Sequence, residues 1–378
     1  MQTSDFMEYK LVCTKCGAEY DRKSPAFRCV KCASILEVEY YYDGFRLPKG
    51  FRRRKPSQKK YVPLLPLSRL SATMGEGGSE LVAADGLRRI IGQSVRLYLK
   101  VETENPTHTF KDRGSAVEIS KAMELGYREI CCASTGNMGL SLAKYARAHR
   151  IKCTVFISKD GNPKKIAKIR AQRARLVKVD GDFNDALLQA ERFATRRGAF
   201  LCGDYHYRKE GQKCVVYEIM EQVGRRAPDY IFVQVGNATL LAAVYKGLVE
   251  FKKFGLIGKM PRLVAVQSDQ CAPLVTAYKA SRQVRYVRPA TAADAIAVGF
   301  PTFGFEGLEA VKGTNGCAVS VDDSEIYRAM GLLKESMGIG AELGGATGLA
   351  GFLKMNAEKP SAFKGRTAVV IVTGNNED

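Results

Sequence analysis

The 378-residue sequence predicts an α/β protein built on mainly parallel sheets, and three observations carry that prediction. Short apolar runs such as YIFVQV (230–235) and TAVVIVT (367–373) lack the in-out alternation of a half-exposed strand, as strands covered on both faces do. Most of these runs are followed by a segment with apolar positions at helical spacing. Glycine-bearing turns, ASTGNMG (133–139) and VGNATL (235–240), stand directly between run and helix. Strand, turn and helix in that order build βαβ units.

The elements follow in order. Residues 1–45 hold LVCTKCGAEY and FRCVKCASILEVEYYY, in which Cys13 and Cys16 are separated from Cys29 and Cys32 by 12 residues. Two C-x2-C pairs at that distance resemble a four-thiolate structural zinc site, each pair on a knuckle turn between short strands. A segment this short buries too little apolar surface to order itself, so Zn2+ would supply the stability. Two reduced, metal-free cysteine turns are the alternative, because Ala33 stands where a glycine commonly follows the last cysteine. A basic linker, 46–62, separates this zinc-ribbon-like unit from the main body, 63–378.

In the body, VRLYLKVE (95–102) reads as a strand stopped by Asn105-Pro106, and GSAVEISKAMELG (114–126) as a helix closed by Gly126, by strand, turn and cap signals respectively. EICCAS (129–134) leads into the helix NMGLSLAKYARAHR, KCTVFIS (152–158) into KKIAKIRAQRA, and RLVKVD (175–180) into FNDALLQAERFATRRG. AFLCG precedes the helix EGQKCVVYEIMEQVG, YIFVQV the helix after Gly236, and RLVAVQS (262–268) the helix CAPLVTAYKA, before the last strand, TAVVIVT. About nine strand–helix units exceed one small sheet, so more than one sheet is expected. No repeat at a fixed period appears, which argues against a solenoid.

The net charge of +20 is concentrated: residues 46–60 carry eight Lys or Arg and no acid, and residues 163–178 carry seven and no acid. A solvated face, or the steering of a small anionic substrate, accounts for such clusters; a nucleic-acid partner is not expected. No run approaches the roughly 18 apolar residues of a membrane span, and MQTSDFMEYK lacks the apolar stretch of a secretion signal. With seven cysteines scattered beyond the two pairs, the sequence reads as a cytoplasmic protein in a reducing compartment. His108, His149 and His206 form no metal set.

The chemistry gathers at four places. ENPTHTFKDRGSA (104–116) sets Lys111 between Phe110 and Asp112 where strand gives way to helix, near the strand end at which open α/β sheets bind ligands. In ASTGNMG, Ser134, Thr135 and Asn137 precede a helix whose first N–H groups could hold an anion such as a carboxylate; an ordinary helix cap is the equal alternative. In VGNATL, Gly236 would permit positive φ and Thr239 adds a hydroxyl, which suits a phosphate group. This turn is neither Walker A nor GxGxxG, which weighs against ATP and dinucleotides. The last strand ends at Thr373 and Gly374, whose hydroxyl could meet one polar atom of a bound ring. Together these suit pyridoxal 5′-phosphate, which needs an amine for a Schiff base, an anion site and a partner for its pyridine nitrogen. A neutral hydroxyl at that nitrogen would leave the ring unprotonated and favour elimination and replacement over transamination.

ENPTHTFKDRG resembles the lysine motif of the fold-type II pyridoxal phosphate enzymes, and among them the threonine synthase branch, whose usual form is NPTGSFKDRG. ASTGNMG is similar to that branch's ASTGNT turn, VGNATL to its phosphate loop, and GDFNDAL (181–187) to GNFDDAL. RKEGQK (208–213) is similar to RLEGQK, VTGNNED to the final turn, and the cysteine-rich start to archaeal-type members. The resemblance implies a tryptophan synthase β-like fold of two doubly wound domains with the cofactor in the cleft, a smaller mobile subdomain spanning about 112–205. It implies Lys111 as Schiff-base lysine and general base, with Phe110 and Asp112 orienting it. Asn137 would bond the cofactor's phenolic oxygen, Gly236, Asn237, Ala238 and Thr239 its phosphate, and Thr373 its pyridine nitrogen. Arg208 would bind the substrate's own phosphate, and Ser134 and Thr135 its carboxylate. The implied reaction converts O-phospho-L-homoserine and water to L-threonine and phosphate by γ-elimination and β-addition, in a homodimer.

The departures lie on the substrate side. Met138 stands in place of a phosphate-contacting threonine, Cys202 and Gly203 in place of Asn-Ser, AELGGAT in place of EPASAA, and His108 two before Phe110. A methionine cannot donate a hydrogen bond to phosphate. Either another cation, from the 163–178 cluster, replaces the missing donors, or the reaction is β-elimination or β-replacement on serine, threonine or O-phosphoserine. A nucleic-acid module with a vestigial body is opposed by the intact lysine, asparagine and phosphate-loop positions.

Overall fold

A computed structural model describes residues 6–92, 94–134, 136–158, 162–181, 183–224 and 226–375. The first strands are β1 (Tyr9–Cys13), β2 (Glu19–Tyr20), β3 (Leu36–Tyr40) and β4 (Leu81–Ala83), then the single turn α1 (Arg88–Ile91) and β5 (Arg96–Val101). Next come α2 (Lys111–Glu124), β6 (Glu129–Ala133), α3 (Asn137–Ala148), β7 (Lys152–Ser158), α4 (Pro163–Ala171), β8 (Arg175–Val179), α5 (Phe183–Arg197) and β9 (Phe200–Leu201). The helices α6 (His206–Gln212) and α7 (Cys214–Gln222) lead to β10 (Tyr230–Gln234), α8 (Thr239–Lys253), β11 (Arg262–Ser268) and α9 (Pro273–Lys279). The remainder is α10 (Gly304–Gly313), β12 (Cys317–Val321), α11 (Asp323–Met337), α12 (Leu343–Glu358) and β13 (Thr367–Val372).

The chain forms two compact units, Met1–Gly77 with Lys111–Gln212, and Gly78–Phe110 with Lys213–Asp378. The first holds an antiparallel ribbon, β2-β1-β3, and a parallel sheet, β8-β7-β6-β9. The inner strands of that sheet are mostly apolar, as strands covered on both faces are: β6 is buried from Ile130 to Ala133. Asn162 starts α4 by accepting hydrogen bonds from the Lys164 and Lys165 N–H groups, with Pro163 at the first turn. The ribbon is fastened to this unit: the Tyr40 hydroxyl donates to Glu210 at 2.6 Å, Arg28 pairs with Glu191 at 2.8 Å, and Lys209 pairs with Glu37. Lys121 lies 5.4 and 5.5 Å from the ring centres of Tyr9 and Tyr207, an ammonium between two π faces.

The second unit is built on the sheet β12-β11-β10-β13-β5-β4, parallel except where β4 runs against β5. Strand β13 lies between β10 and β5 and all six of its residues are buried, which is why TAVVIV reads as an unbroken apolar run. Two ion pairs with both partners fully buried, Lys100–Glu218 at 2.7 Å and Lys213–Glu250 at 3.0 Å, stand within this unit. Lys100 also donates to the Ser79 carbonyl at 2.6 Å and to Gln222 at 2.9 Å, so its desolvation is offset by complete hydrogen bonding.

The structure departs from the expected elements in three ways. The helix expected over EGQKCVVYEIMEQVG breaks into α6 and α7 around Lys213. Strands β4 and β12 and the helices α1, α10 and α12 were not anticipated, CAVSV being short and half-buried, whereas Asp322-Asp323 does open a helix, with Asp322 as the cap of α11. The strand expected at AFLCG shrinks to Phe200–Leu201. Among the described residues no helix is long and apolar enough to cross a membrane.

Candidate active site

In the first unit, Lys111 opens α2 and is half-buried. Helix α6 crosses α2 so closely that a Cβ on Gly211 would lie 2.2 Å from the Arg113 carbonyl oxygen. A Cβ on Gly114 would meet Arg208 Cγ at 2.7 Å, so the glycines of the KDRG and EGQK motifs serve this crossing. The neighbouring acid is also held: Ser141 Oγ lies 2.5 Å from Asp112 Oδ1 and 2.7 Å from Ser115 Oγ.

Arg208 is placed otherwise than the sequence suggested. Its guanidinium is fully buried, Nε donating to the Gly203 carbonyl at 3.1 Å, Nη1 to the Lys111 carbonyl at 3.3 Å and Nη2 to Ser115 Oγ at 3.4 Å. It also forms an ion pair with Glu118, which accepts the Gly203 N–H at 2.7 Å. Burial pushes Glu118 up to about 7, against the opposing pull of Arg208 and the Gly203 N–H. The arginine expected on a substrate phosphate thus has its charge answered from inside the unit. Cys202 and Met138 are both buried, and burial drives the Cys202 thiol well above its ordinary range.

Ser134 acts as a cap. Its Oγ accepts the Gly136 N–H at 3.3 Å and the Gly139 N–H at 3.0 Å at the start of α3, leaving its own O–H proton to donate. Asn137 is the first residue of α3 and buried. Thr135 lies outside the described residues.

In the second unit, the lysine's approach is tied to the end of β13. Phe110 N–H donates to the Thr373 carbonyl at 2.9 Å, Thr109 bridges Gly374, and Asn375 N–H donates to the His108 carbonyl at 2.9 Å. His108 sits at φ 57, a left-handed conformation that a glycine takes at less strain. The phosphate turn also differs from expectation: Ala238 (φ 60), and not Gly236, has positive φ. Gly236 instead eases close packing, since a Cβ there would press against Ile296 Cα at 3.2 Å. Ala238 is the N-cap of the 15-residue α8 and supplies no side-chain cap, so an anion can take the place of one. Asn237 Oδ1 accepts from Thr302 N–H at 3.2 Å, holding the turn.

Thr373 is buried, and its Oγ1 accepts the Gln234 Nε2 hydrogen at 2.5 Å. Sequence reasoning passed over Gln234 and Glu118. The signal for each was a polar residue in an otherwise apolar setting, YIFVQV for one and AVEIS for the other.

In the ribbon, the four thiols of Cys13, Cys16, Cys29 and Cys32 lie within 4.8 Å of one another. The Cys13–Cys32 and Cys16–Cys29 sulfurs are 3.4 and 3.5 Å apart, near the ~3.8 Å edge of a tetrahedron with Zn–S bonds of about 2.3 Å. Gly17 (φ 68) and Ala33 (φ 56) follow the two pairs in the same left-handed conformation, so the alanine completes the second knuckle without glycine.

A half-buried lysine at a strand-to-helix turn, an uncapped helix start after a glycine turn, and a strand-end hydroxyl whose acceptor side is already used fit pyridoxal phosphate. Residues 72–374 match the family model described as pyridoxal-phosphate dependent enzyme. A threonine synthase of Methanosarcina acetivorans is 36% identical over 372 residues, 97% of this chain and 91% of that protein. A threonine synthase of Methanocaldococcus jannaschii is 34% identical over 96% of this chain and 91% of its own length. Among solved structures, maize serine racemase superposes with a TM-score of 0.70 at 22% identity, over 79% of this chain and 88% of that one. Threonine deaminase isoform 2 of Solanum lycopersicum gives 0.68 at 20% identity, over 79% and 84%; both likenesses concern the fold. Identity of this extent, with the lysine, asparagine and phosphate-turn motifs in place, makes the chain a member of the threonine synthase family of pyridoxal-phosphate-dependent enzymes.

Proposed function

We propose that this protein is a threonine synthase, a lyase converting O-phospho-L-homoserine and water to L-threonine and phosphate. The supporting observation is the 36% identity to a threonine synthase across 97% of the chain, with Lys111, Asn137, the 236–239 turn and Thr373 all present. When bound, pyridoxal 5′-phosphate supplies an electron sink for the substrate's Cα. The chain's residues supply the rest. Gly236, Asn237, Ala238 and Thr239 would hold the cofactor phosphate at the start of α8, Asn137 would bond the phenolic oxygen, and Thr373 would meet the ring nitrogen. Lys111, which follows Phe110 in the chain, would hold the cofactor through its amine, take the substrate's Cα proton and move protons at Cβ and Cγ. Phosphate leaves Cγ and water adds at Cβ. Ser134, whose O–H remains a donor, and Thr135 hold the substrate carboxylate.

Arg208 is reassigned from the substrate phosphate to positioning the Lys111 turn, because its donors already serve Gly203, Lys111, Ser115 and Glu118. A cation of the 163–178 cluster takes its place at the phosphate. Incubation of the purified holoprotein with O-phospho-L-homoserine should release phosphate and threonine in equal amounts; release no faster than from Lys111→Ala would end the proposal.

A second reading, β-elimination or β-replacement on serine, threonine or O-phosphoserine, is favoured by the Glu118–Arg208 pair together with Met138. Pyruvate or 2-oxobutyrate formed in preference to threonine would decide for it. In the ribbon we assign structural Zn2+ to Cys13, Cys16, Cys29 and Cys32 on the clustering of their thiols. A cytoplasmic homodimer completes the proposal; none of the 11 cysteines forms a disulfide, in keeping with a reducing compartment, and sedimentation should give twice the mass of one chain.

A further inference from the structure

Gln234 ends β10 with its side chain 5% exposed. Its amide nitrogen lies 2.5 Å from Thr373 Oγ1 and 3.4 Å from the Gly345 carbonyl oxygen. Both neighbours can accept, and an NH2 group has two hydrogens to give. In this orientation both acceptors are served and Gln234 Oε1 is buried without a hydrogen-bond partner among the described residues; turning the amide over would instead set its oxygen 3.4 Å from the Gly345 oxygen with no proton between them, so the geometry assigns the nitrogen to the Thr373 side. Helix α12 makes room for this amide: a Cβ on Gly345 would collide with the Gly374 oxygen at 2.4 Å, and one on Gly348 would press Gln234 Oε1 at 3.2 Å. The Thr373 carbonyl is meanwhile held by Phe110 N–H at 2.9 Å, so the residue's backbone is fixed as well.

A hydroxyl has one proton. With its oxygen accepting from Gln234, Thr373 keeps that proton for whatever lies beyond. We infer that Gln234 is a positioning residue that fixes the Thr373 hydroxyl as a hydrogen-bond donor, and so keeps the cofactor's ring nitrogen an unprotonated acceptor. The inference rests on the proposed placement of Thr373 at that nitrogen. It assigns the control of ring protonation to a side chain that does not touch the ring.

The test uses holoprotein reconstituted with cofactor carrying 15N in the ring, read by NMR without substrate. Wild-type protein at pH 7 should show the shift of an unprotonated, hydrogen-bonded pyridine nitrogen; a pyridinium shift would overturn the inference, and this arm needs no variant. In Gln234→Glu the ionised carboxylate can only accept, so the Thr373 proton turns towards it and the ring nitrogen should move towards the protonated shift as pH rises through the carboxylate's titration. Gln234→Met should leave the hydroxyl free to rotate and weaken cofactor binding to the apoprotein about tenfold, near 1.4 kcal/mol. If Thr373→Val moves the nitrogen shift but neither Gln234 variant does, the inference fails while the placement of Thr373 stands. If Thr373→Val leaves the shift unchanged, the placement itself is wrong.

Discussion

Replacing Glu118 by glutamine tests whether the Arg208 pair governs the stability of the first unit. In the wild type, burial pushes the Glu118 carboxyl up from its ordinary value of 4.5 to about 7. A group whose folded pKa is raised stabilises the fold fully below its unfolded pKa and loses that contribution as pH rises through the folded value. A displacement of about 2.5 pH units corresponds to about 3 kcal/mol, lost between pH ~4.5 and ~7. Glu118→Gln keeps the volume and one acceptor for the Gly203 N–H but does not titrate. The stability difference between the two proteins should therefore move in the variant's favour by about 3 kcal/mol between pH 4.5 and pH 8. The assay is guanidinium denaturation followed by circular dichroism at intervals from pH 4.5 to 8. Parallel stability profiles for the two proteins would refute the reasoning. Glu118→Ala is the harsher control: it strands a fully buried guanidinium, which typically costs about 3–5 kcal/mol.

Gly211→Ala sets a methyl 2.2 Å from the Arg113 carbonyl oxygen; it should cost about 2–3 kcal/mol, and an unchanged melting temperature would count against the helix crossing. Ala33→Gly removes left-handed strain at φ 56 and should raise stability by about 0.5–1 kcal/mol, read as a higher midpoint in chelator-induced unfolding of the ribbon. Metal analysis of the purified protein should find one zinc per chain, and Cys29→Ala should lose it; full retention of zinc by that variant would exclude the four-thiol site.

Much of this could be read locally. Strands β6, β7, β10 and β13 announce themselves because burial on both faces makes most of each run apolar. Lys111, the glycine turns and the paired cysteines are visible because each depends on residues within a few positions of one another.

What lay outside the sequence are the partners chosen at a distance. Arg208 reads as an anion receptor in RKEGQK, yet its charge is met by Glu118, 90 residues away. Gln234 reads as a break in an apolar strand, yet it finds Thr373, 139 residues away. The positive φ expected at Gly236 falls on Ala238, and the glycine instead eases the approach of Ile296. By itself the sequence determined which segments become strands and helices and which side chains can do chemistry, since propensity and burial period are local. The tertiary structure decided which of those side chains still have a charge or a proton to offer, because that depends on what packing brings against them.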